Sequence, residues 1–566
     1  MASSIQHRAL YINEVLKHIC HVADNSTLAT VARTCKVFQE PALEALWCHL
    51  PDFTPLVRCF PSEIWTVEGY ELVCHTINYE NMYSHPHITL QKFARPPFPH
   101  EWPLFLKYSK LVRSLGFDSG VRRISLKMHP NVLDNLCTFR PTPVLLPNLR
   151  ALTWSWTGLT GSDLPSILSL VGEEVTTIII RNWYHRDYSE QLLHVSMAII
   201  ASKFRHLTTY EFDFSSYVND EDAITTATSS VASSLVSSLH SLTTFVCRNI
   251  PLSPASILHL AELSTLRNCY VRLSDESTEW PALGPAHRPF ASLTRITLAT
   301  TLAAYIPFSN AVALPHIKEL TLDVAGDLVA HLIPHFFAAI RHQYSPTTLD
   351  CISIRPLGKT DIARAQQSTA VVRSAHLRPL LEFSLIKEFD LTMPCHHAFD
   401  DAFILDIAKA WPRLVSLYLS EVRCVHDSRP SLTALAHLAM YAHNLRGLGF
   451  EFDAARWKPT LHGFPAQVYG DLQGRASFSH VHILVVGASP IAWPEHVAHF
   501  LACVFPVLRH VIHVIDENSS HLEIWQEVQE YMYTAARKRA AAVCRGDEAS
   551  DALSPLASKP TMLGTQ

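Results

Sequence analysis

A short apolar pattern recurs along most of the chain. Six-residue segments carry large apolar side chains at positions 1, 4 and 6, as in Leu149-Arg-Ala-Leu-Thr-Trp154. Because side chains alternate across a strand, positions 4 and 6 share one face, and the pattern predicts a short strand with that face buried. The segments begin at Leu149, Val175, Leu207, Leu242, Leu266, Leu293, Ile317, Leu349, Ile386, Leu414, Leu445, Val481 and Leu508. These twelve steps cover 359 residues, about thirty residues each, and weaker copies lie at 111–117 and 121–126.

Helical patterns lie between the predicted strands. Apolar residues at helical spacing predict helices at 192–204, 223–239, 328–342, 363–383, 401–411 and 432–442. A strand and a helix alternating at this period resemble the leucine-rich-repeat family, which implies an α/β solenoid. A doubly wound α/β domain is the alternative, but it is not expected to repeat one strand motif thirteen times. The asparagine or cysteine usual at position 9 is mostly absent, so we expect irregular repeats.

The first fifty residues predict three short helices. Asn13 is placed to cap the first helix, and Asp24 begins a polar break that offers a second cap. Pro41 is expected in the first turn of the third helix, where its missing N–H is harmless. Three helices of this length bury little surface alone. A partner or the rest of the chain is therefore expected to cover their apolar faces.

The order and spacing of these residues resemble an F-box. The resemblance rests on Ile12-Asn-Glu-Val-Leu-Lys-His-Ile19, on the segment from Leu28 to Phe38, and on Ala42-Leu-Glu-Ala-Leu-Trp47. The chain departs from the family pattern in having Ile12 or Asn13 where proline is usual. The resemblance implies binding to a Skp-type adaptor of a cullin–RING ubiquitin ligase, and an N-terminal helical cap on the repeats is the alternative. The residues that would form or support the adaptor contact are Ile12, Glu14, Val15, Leu16, Ile19, Leu28, Val31, Cys35, Phe38, Leu43, Leu46 and Trp47.

These patterns divide the chain into five predicted segments. An F-box-like helical domain at 1–50 is followed by a proline-rich connector at 51–107 and a leucine-rich-repeat-like solenoid at 108–516. A terminal helix at 517–545 and a disordered tail at 546–566 complete the chain. The connector is predicted because closely spaced prolines oppose long helices. The tail is predicted because it has few large apolar side chains.

Composition narrows the classes of partner. Apolar residues make up 48% of the 566 residues, which suffices for an extended core, and the formal charge is -5. Phosphate binding needs concentrated positive charge, so nucleic acid is not an expected partner. The sequence has no run of 18 apolar residues, no signal-peptide pattern and no CxxC spacing. We therefore expect a cytoplasmic or nuclear protein with reduced cysteines and no membrane segment.

The sequence carries no complete catalytic motif that we recognise. Gly358-Lys-Thr360 resembles the end of a P-loop, but Ser353 stands where the first glycine is required. Cys395-His-His397 precedes Asp400, yet contiguous side chains rarely converge on one metal ion. We therefore expect no metal site, no cofactor and no catalytic residue, and the chain is not expected to be an enzyme.

Strand positions 5 and 7 should lie on the open face of the sheet, where they could contact a protein substrate. Their mixed charges suit a protein-binding surface. The expected function is a substrate-recognition subunit that recruits a protein target for ubiquitination; the alternative is a non-catalytic scaffold whose F-box acts outside a ligase. The sequence identifies neither the target nor its degron. The candidate substrate contacts are Arg181, Glu211, Asp213, Arg248, Arg272, Asp323, Arg355, Asp390, Tyr418 and Glu451.

Overall fold

The chain forms two compact units that divide between His316 and Ile317. Both contain parallel strands joined by helices, which confirms the predicted α/β class. The division falls inside the segment 108–516, for which one repeat array is predicted. The computed structural model describes residues 12–34, 36–71, 87–116, 127–128, 130–155, 163–183, 190–214, 225–275, 280–281, 289–326, 328–357, 370–393, 395–419, 429–456, 479–513 and 521–545.

The first unit begins with helices and then alternates strands and helices. Its helices are α1 (Asn13–Val22), α2 (Asn25–Val31), α3 (Lys36–Cys48), α4 (Thr54–Val57), α5 (Trp102–Ser109), α6 (Pro130–Phe139), α7 (Asp163–Leu170), α8 (Glu190–Lys203), α9 (Thr226–Ser238), α10 (Pro254–Glu262) and α11 (Leu302–Ala311). Its strands are β1 (His49–Leu50), β2 (Trp65–Glu71), β3 (His87–Phe93), β4 (Ser114–Gly116), β5 (Lys127–Met128), β6 (Ala151–Ser155), β7 (Thr177–Trp183), β8 (Thr209–Phe214), β9 (Thr244–Leu252), β10 (Asn268–Leu273) and β11 (Arg295–Thr300). Short 3₁₀ turns lie at Ser62–Ile64 and Pro99–Glu101.

A parallel sheet in the order β1-β4-β6-β7-β8-β9-β10-β11 forms the frame of the first unit. Each predicted strand starts at position 3 of its motif, and positions 4 and 6 are buried, as Ile178 and Ile180 show in β7. Parallel strands need long crossovers, so helices cover this apolar face. The weak copy at 111–117 is confirmed as β4, and the copy at 121–126 lies outside the described residues.

One backbone carbonyl per repeat links successive strands. The carbonyl at position 2 accepts the N–H groups of positions 2 and 3 in the next repeat. Arg150 O, for example, accepts from Thr176 N at 2.8 Å and Thr177 N at 3.0 Å. We call this series the position-2 ladder. It recurs in both units and fixes the register of each strand against the preceding one.

The segment 51–107 contains packed structure. Strands β2 and β3 pair antiparallel, and β5 joins β3 in parallel. The Phe60 ring lies 5.7 Å from that of Phe93, 5.2 Å from that of Trp102 and 5.3 Å from that of Phe105, between ring centroids. Pro99 starts the 3₁₀ turn and Pro103 lies in the first turn of α5. Both positions suit proline, because backbone N–H groups in the first turn of a helix have no partner within the helix.

The second unit continues the alternation of strands and helices. Its helices are α12 (Ile333–Gln343), α13 (Ser374–Leu377), α14 (Asp401–Ala410), α15 (Leu432–Tyr441), α16 (Pro494–Val504) and α17 (Leu522–Arg545), with 3₁₀ turns at Ala330–Leu332 and Arg378–Glu382. Its strands are β12 (Glu319–Val324), β13 (Cys351–Pro356), β14 (Val371–Arg373), β15 (Glu388–Leu391), β16 (His396–Ala398), β17 (Ser416–Leu419), β18 (Gly447–Phe450), β19 (Ile483–Gly487) and β20 (His510–His513). Strands β12-β13-β15-β17-β18-β19-β20 form a parallel sheet in that order. All thirteen strands predicted from the repeated motif are confirmed.

The helix predicted at 363–383 is wrong in its described part. Residues 371–373 form β14, which pairs in parallel with β16, and only the short α13 and a 3₁₀ turn follow. Ala370 and Val372 are buried by this pairing. A tertiary strand partner therefore overrides the local helical pattern, and residues 358–369 lie outside the described chain.

His397 in β16 is a buried histidine without hydrogen bonds among the described residues. It is 3% exposed, and neither ring nitrogen has a partner there. Burial, aided by the neighbouring His396, lowers the pKa of His397 to about 3. The folded chain therefore favours the neutral ring, whereas an unfolded chain binds a proton near pH 6.5.

We expect His397 to make the second unit less stable in acid. Its contribution is fully present above about pH 6.5 and is lost as the pH falls toward about 3, with a slope of at most about 1.4 kcal/mol per pH unit. Urea unfolding of wild type and of His397→Leu between pH 7 and pH 4 measures this difference. The variant should show the shallower decline in free energy of unfolding; parallel curves would contradict the assignment.

The terminal helix α17 packs on the last strands of the second unit. Trp525 is 2% exposed, and its Nε1–H donates to Ser489 O at 2.9 Å. The Gln529 side chain accepts from Val511 N at 2.7 Å and donates to Arg509 O at 3.1 Å. Arg509 is position 2 of its repeat. The Gln529 amide thus takes the place that the backbone of a following repeat would occupy in the position-2 ladder.

Candidate functional site

The three N-terminal helices are set by local capping. Asp24 caps α2: Oδ1 accepts from Ser26 N at 2.9 Å and Thr27 N at 3.0 Å. The bond from Thr27 N, with those from the neighbouring hydroxyls and Ser26 N, lowers the pKa of the Asp24 carboxyl well below its usual value. Two expectations are wrong: Asn13 is the first helical residue rather than the cap, and Pro41 lies inside α3 rather than in its first turn.

One face of α1 forms the core of this three-helix segment. Leu16 is 2% exposed and Cys20 3% exposed, and Cys20 packs with Leu28 and Ala42. Burial raises the pKa of the Cys20 thiol, so it behaves as a small apolar side chain. Half-buried side chains from α2 and α3, among them Val31 and Leu46, surround this core.

The adjacent face of α1 exposes large apolar side chains. Ile12 before the helix is 49% exposed, and along the helix Val15 is 36%, Ile19 43% and Val22 78% exposed. Their spacing of three, four and three residues places them on one side of a helix. We call these four residues the α1 stripe. Contiguous exposed apolar surface of this kind marks interaction sites in many proteins.

The last of these helices runs directly into the first strand of the sheet. Helix α3 ends at Cys48 and β1 begins at His49, and Cys48 O accepts from Arg113 N at 2.9 Å as the first member of the position-2 ladder. The Trp47 ring stacks on Tyr108, with centroids 4.3 Å apart and planes 9° from parallel. Ladder bonds and ring stacking therefore attach the helices to the repeats without an intervening linker.

A cavity of about 210 Å³ lies beside this junction. Lys17 and Glu44, which pair at 2.9 Å, line this cavity together with Arg113. Lys17 and Glu44 are each 47% exposed, so the pair contributes little to stability. The cavity has no buried charged group that would define a ligand.

The predicted adaptor residues fall into three groups. The first group is buried: Leu16 and Leu28 support the packing of the helices. The second is exposed and the third half-buried. Sequence reasoning left out Val22, the most exposed member of the α1 stripe, although its spacing from Ile19 was visible. The exposed residues are Ile12, Glu14, Val15 and Ile19; the half-buried ones are Val31, Phe38, Leu43, Leu46 and Trp47; Cys35 lies outside the described residues.

The candidate substrate contacts in the first unit lie on the open side of the sheet. Arg181 and Arg248 are exposed, and Glu211, Asp213 and Arg272 are half-buried. Asp213 stands opposite Arg248 in the strand register. The Arg248 guanidinium also lies 4.9 Å from the centre of the Tyr270 ring.

In the second unit two of the candidates are buried rather than open to a partner. Asp323 is 5% exposed and accepts from Arg355 Nε at 2.6 Å. Glu451 is also 5% exposed, lies 3.6 Å from Arg429 and accepts from Ala488 N at 3.2 Å. Both carboxylates hold neighbouring segments together. Asp390 and Tyr418 are half-buried on the open face, and Arg355 is exposed.

The described residues offer no metal-binding cluster, and the Cys247 thiol is buried. Within them, no group of three His, Cys, Asp or Glu side chains could hold a metal ion. Burial raises the pKa of the Cys247 thiol to about 12, so it is not a nucleophile at neutral pH. In the same part of the chain no helix has the length and apolar character needed to cross a membrane.

Comparisons with known proteins add little to this geometry. No family model and no curated protein matches the sequence. The chain is similar to a structure of the Rad7 and Elc1 complex in yeast, with 13% identity over 68% of this chain and 72% of that chain and a TM-score of 0.27. It is also similar to the leucine-rich repeat-containing protein LegL7 from Legionella pneumophila, with 13% identity over 72% of this chain and 96% of that chain and a TM-score of 0.25. The strand register of each unit is what establishes the α/β repeat architecture.

Proposed function

We propose that this protein is the substrate-recognition subunit of a Skp–cullin–F-box ubiquitin ligase. The α1 stripe is the observation that supports this best. It lies in the segment whose sequence resembles an F-box, and it stays exposed while Leu16 and Cys20 on the adjacent face of the helix are buried. The Skp-type adaptor is the partner that would cover it, and the cullin–RING ligase would be reached through that adaptor.

Covering the α1 stripe would be favourable. Fully burying a large aliphatic side chain contributes about 1.5–3 kcal/mol, so burying the exposed part of each stripe residue contributes about 1 kcal/mol. Four such residues on one face supply several kcal/mol before the costs of association. The stripe is thus suited to a protein partner with an apolar groove.

The junction supports a positioning role. Because Cys48 enters the position-2 ladder directly, a target bound to the sheet of the first unit would be held at a fixed place relative to the adaptor. Holding a target lysine near a charged conjugating enzyme raises the effective concentration of the reacting groups. The chain itself would supply no catalytic residue.

Binding to a purified Skp-type adaptor tests the proposal. We expect the full chain to bind, and Val15→Asp combined with Ile19→Asp to weaken binding at least about 100-fold, because two charges would be buried at the interface. Val195→Asp on α8 is the matched control, since Val195 is 47% exposed on another helix. Co-purification and calorimetry measure the complex.

Two results would contradict this proposal, the first in its ligase role and the second in its contact surface. One is failure of the wild-type chain to bind the adaptor. The other is equal binding by the double variant, which would mean that the α1 stripe is not the contact. Failure to bind would leave an interaction scaffold as the function of the repeats, whereas equal binding by the double variant would place the adaptor contact on another surface of the chain.

A further inference from the structure

The open face of the second unit changes character along its sheet. At positions 3 and 5, strands β12, β13 and β15 carry three carboxylates, Glu319, Glu388 and Asp390, and no lysine or arginine. At the same positions β19 and β20 carry Ile483, which is 36% exposed, and Ile512, which is 46% exposed. An acidic end and an apolar end therefore share one surface.

Tyr418 in β17 lies between these two ends on a floor of glycine. A Cβ atom at Gly447 would lie 2.6 Å from Tyr418 Oη, and one at Gly449 would lie 2.6 Å from Tyr418 Cδ1. The ring thus extends across β18 in the space that two side chains would otherwise fill. The glycine backbone supports one side of the ring, and the half-buried residue forms a flat aromatic platform on the sheet.

The acidic end produces a negative field next to this platform. Asp390 stands opposite Tyr418 in the register, and Glu388 stands opposite Ser416. Two of the nearby cations are engaged: Lys387 lies 2.9 Å from Asp350, and Arg355 lies 2.6 Å from Asp323. Burial, and after it the charges of Glu388, Glu319 and Asp350, raises the pKa of the Cys351 thiol to about 12, as expected where negative charge collects.

We propose that this face binds an extended protein segment carrying a lysine or arginine and a large apolar residue. The cation would lie over the Tyr418 ring beside Asp390, and the apolar residue would cover Ile483 and Ile512. The inference depends on the proposed function in one respect only, which is that the bound segment belongs to a ubiquitination target. Charge complementarity selects the cation, since an acidic segment would be repelled by the same carboxylates.

The strand spacing sets the separation of the two residues. Neighbouring strands lie about 4.8 Å apart, so β19 is about 10 Å and β20 about 14 Å from β17. An extended chain advances about 3.3 Å per residue. The cation and the apolar residue should therefore be three or four positions apart.

A peptide array probed with the purified full chain, without adaptor, tests this inference. The array holds glycine–serine decapeptides with one arginine and one leucine separated by one to seven positions, and matched peptides with glutamate in place of arginine. We expect the signal to be highest at three or four positions and at least about tenfold lower with glutamate. No spacing preference, no binding to any peptide, or equal binding of glutamate peptides would overturn the proposal.

Variants of the sheet face locate the binding. Asp390→Asn combined with Glu388→Gln keeps the side-chain shapes and should lower the arginine-peptide signal at least fivefold. Gly449→Ala should do the same by displacing the Tyr418 ring. Glu173→Gln, at an exposed position between α7 and β7 of the first unit, is the control and should change nothing; an equal loss there would overturn the assignment. Because the α1 stripe is intact in all of these proteins, adaptor binding and peptide binding can fail independently.

Discussion

Replacing Trp525 with alanine is expected to lower the free energy of unfolding of the second unit by about 3–5 kcal/mol. The indole is 2% exposed, its ring lies 5.9 Å from that of Phe452, and its N–H donates to Ser489 O. The substitution removes this apolar contact and leaves the buried Ser489 carbonyl without that donor. It should also release Gln529 from the edge of β20.

Urea unfolding and hydrogen exchange over residues 510–545 measure the effect. Trp525→Phe keeps most of the ring contact and should cost less than the alanine variant. Tyr533→Ala is the matched control, because Tyr533 is 51% exposed on the same helix and should change stability by less than about 0.5 kcal/mol. A Trp525→Ala protein as stable as this control would show that α17 does not contribute to the second unit.

Gly172→Ala is expected to destabilise the first unit by about 2–3 kcal/mol. A Cβ atom at Gly172 would lie 2.7 Å from Pro147 O and 3.2 Å from Pro147 C. These are backbone atoms, so no side chain can turn away. The two segments are also held together by the bond from Gly172 N to Leu146 O, at 3.0 Å.

Gly116→Ala provides the matched control in the same unit. Its added Cβ would lie 3.8 Å from Leu50 O, which is ordinary van der Waals contact. Urea unfolding should therefore separate the two alanine variants, with hydrogen exchange of β6 and β7 faster only for Gly172→Ala. Equal stability of the two proteins would contradict the close approach of Gly172 to Pro147.

The strands were predictable because their signal is local. Alternation of buried and open positions within six residues is enough to predict a strand, and the cap at Asp24 depends only on the next three residues. The burial of Asp323 and Glu451 was not predictable in this way. Their partners Arg355 and Arg429 belong to other segments, so pairing depends on the folded arrangement.

The N-terminal helices show the same limit. A local rule places Pro41 at a helix start because it lacks an N–H. In the structure Pro41 and Ala42 are buried within α3, and packing keeps the helix continuous through the proline. The spacing of the α1 stripe was visible in the sequence. Which apolar side chains of α1 would be buried, however, depended on contacts from α2 and α3.

The Gln529 amide has a consequence for how such an array can change in length. A repeat added after β20 would need Arg509 O as its first acceptor, and Gln529 already occupies that carbonyl. In the first unit, Cys48 O begins the ladder at the last residue of α3, so a repeat cannot be added before it without separating the helices from the sheet. Duplication or loss of repeats is therefore expected at positions other than these two.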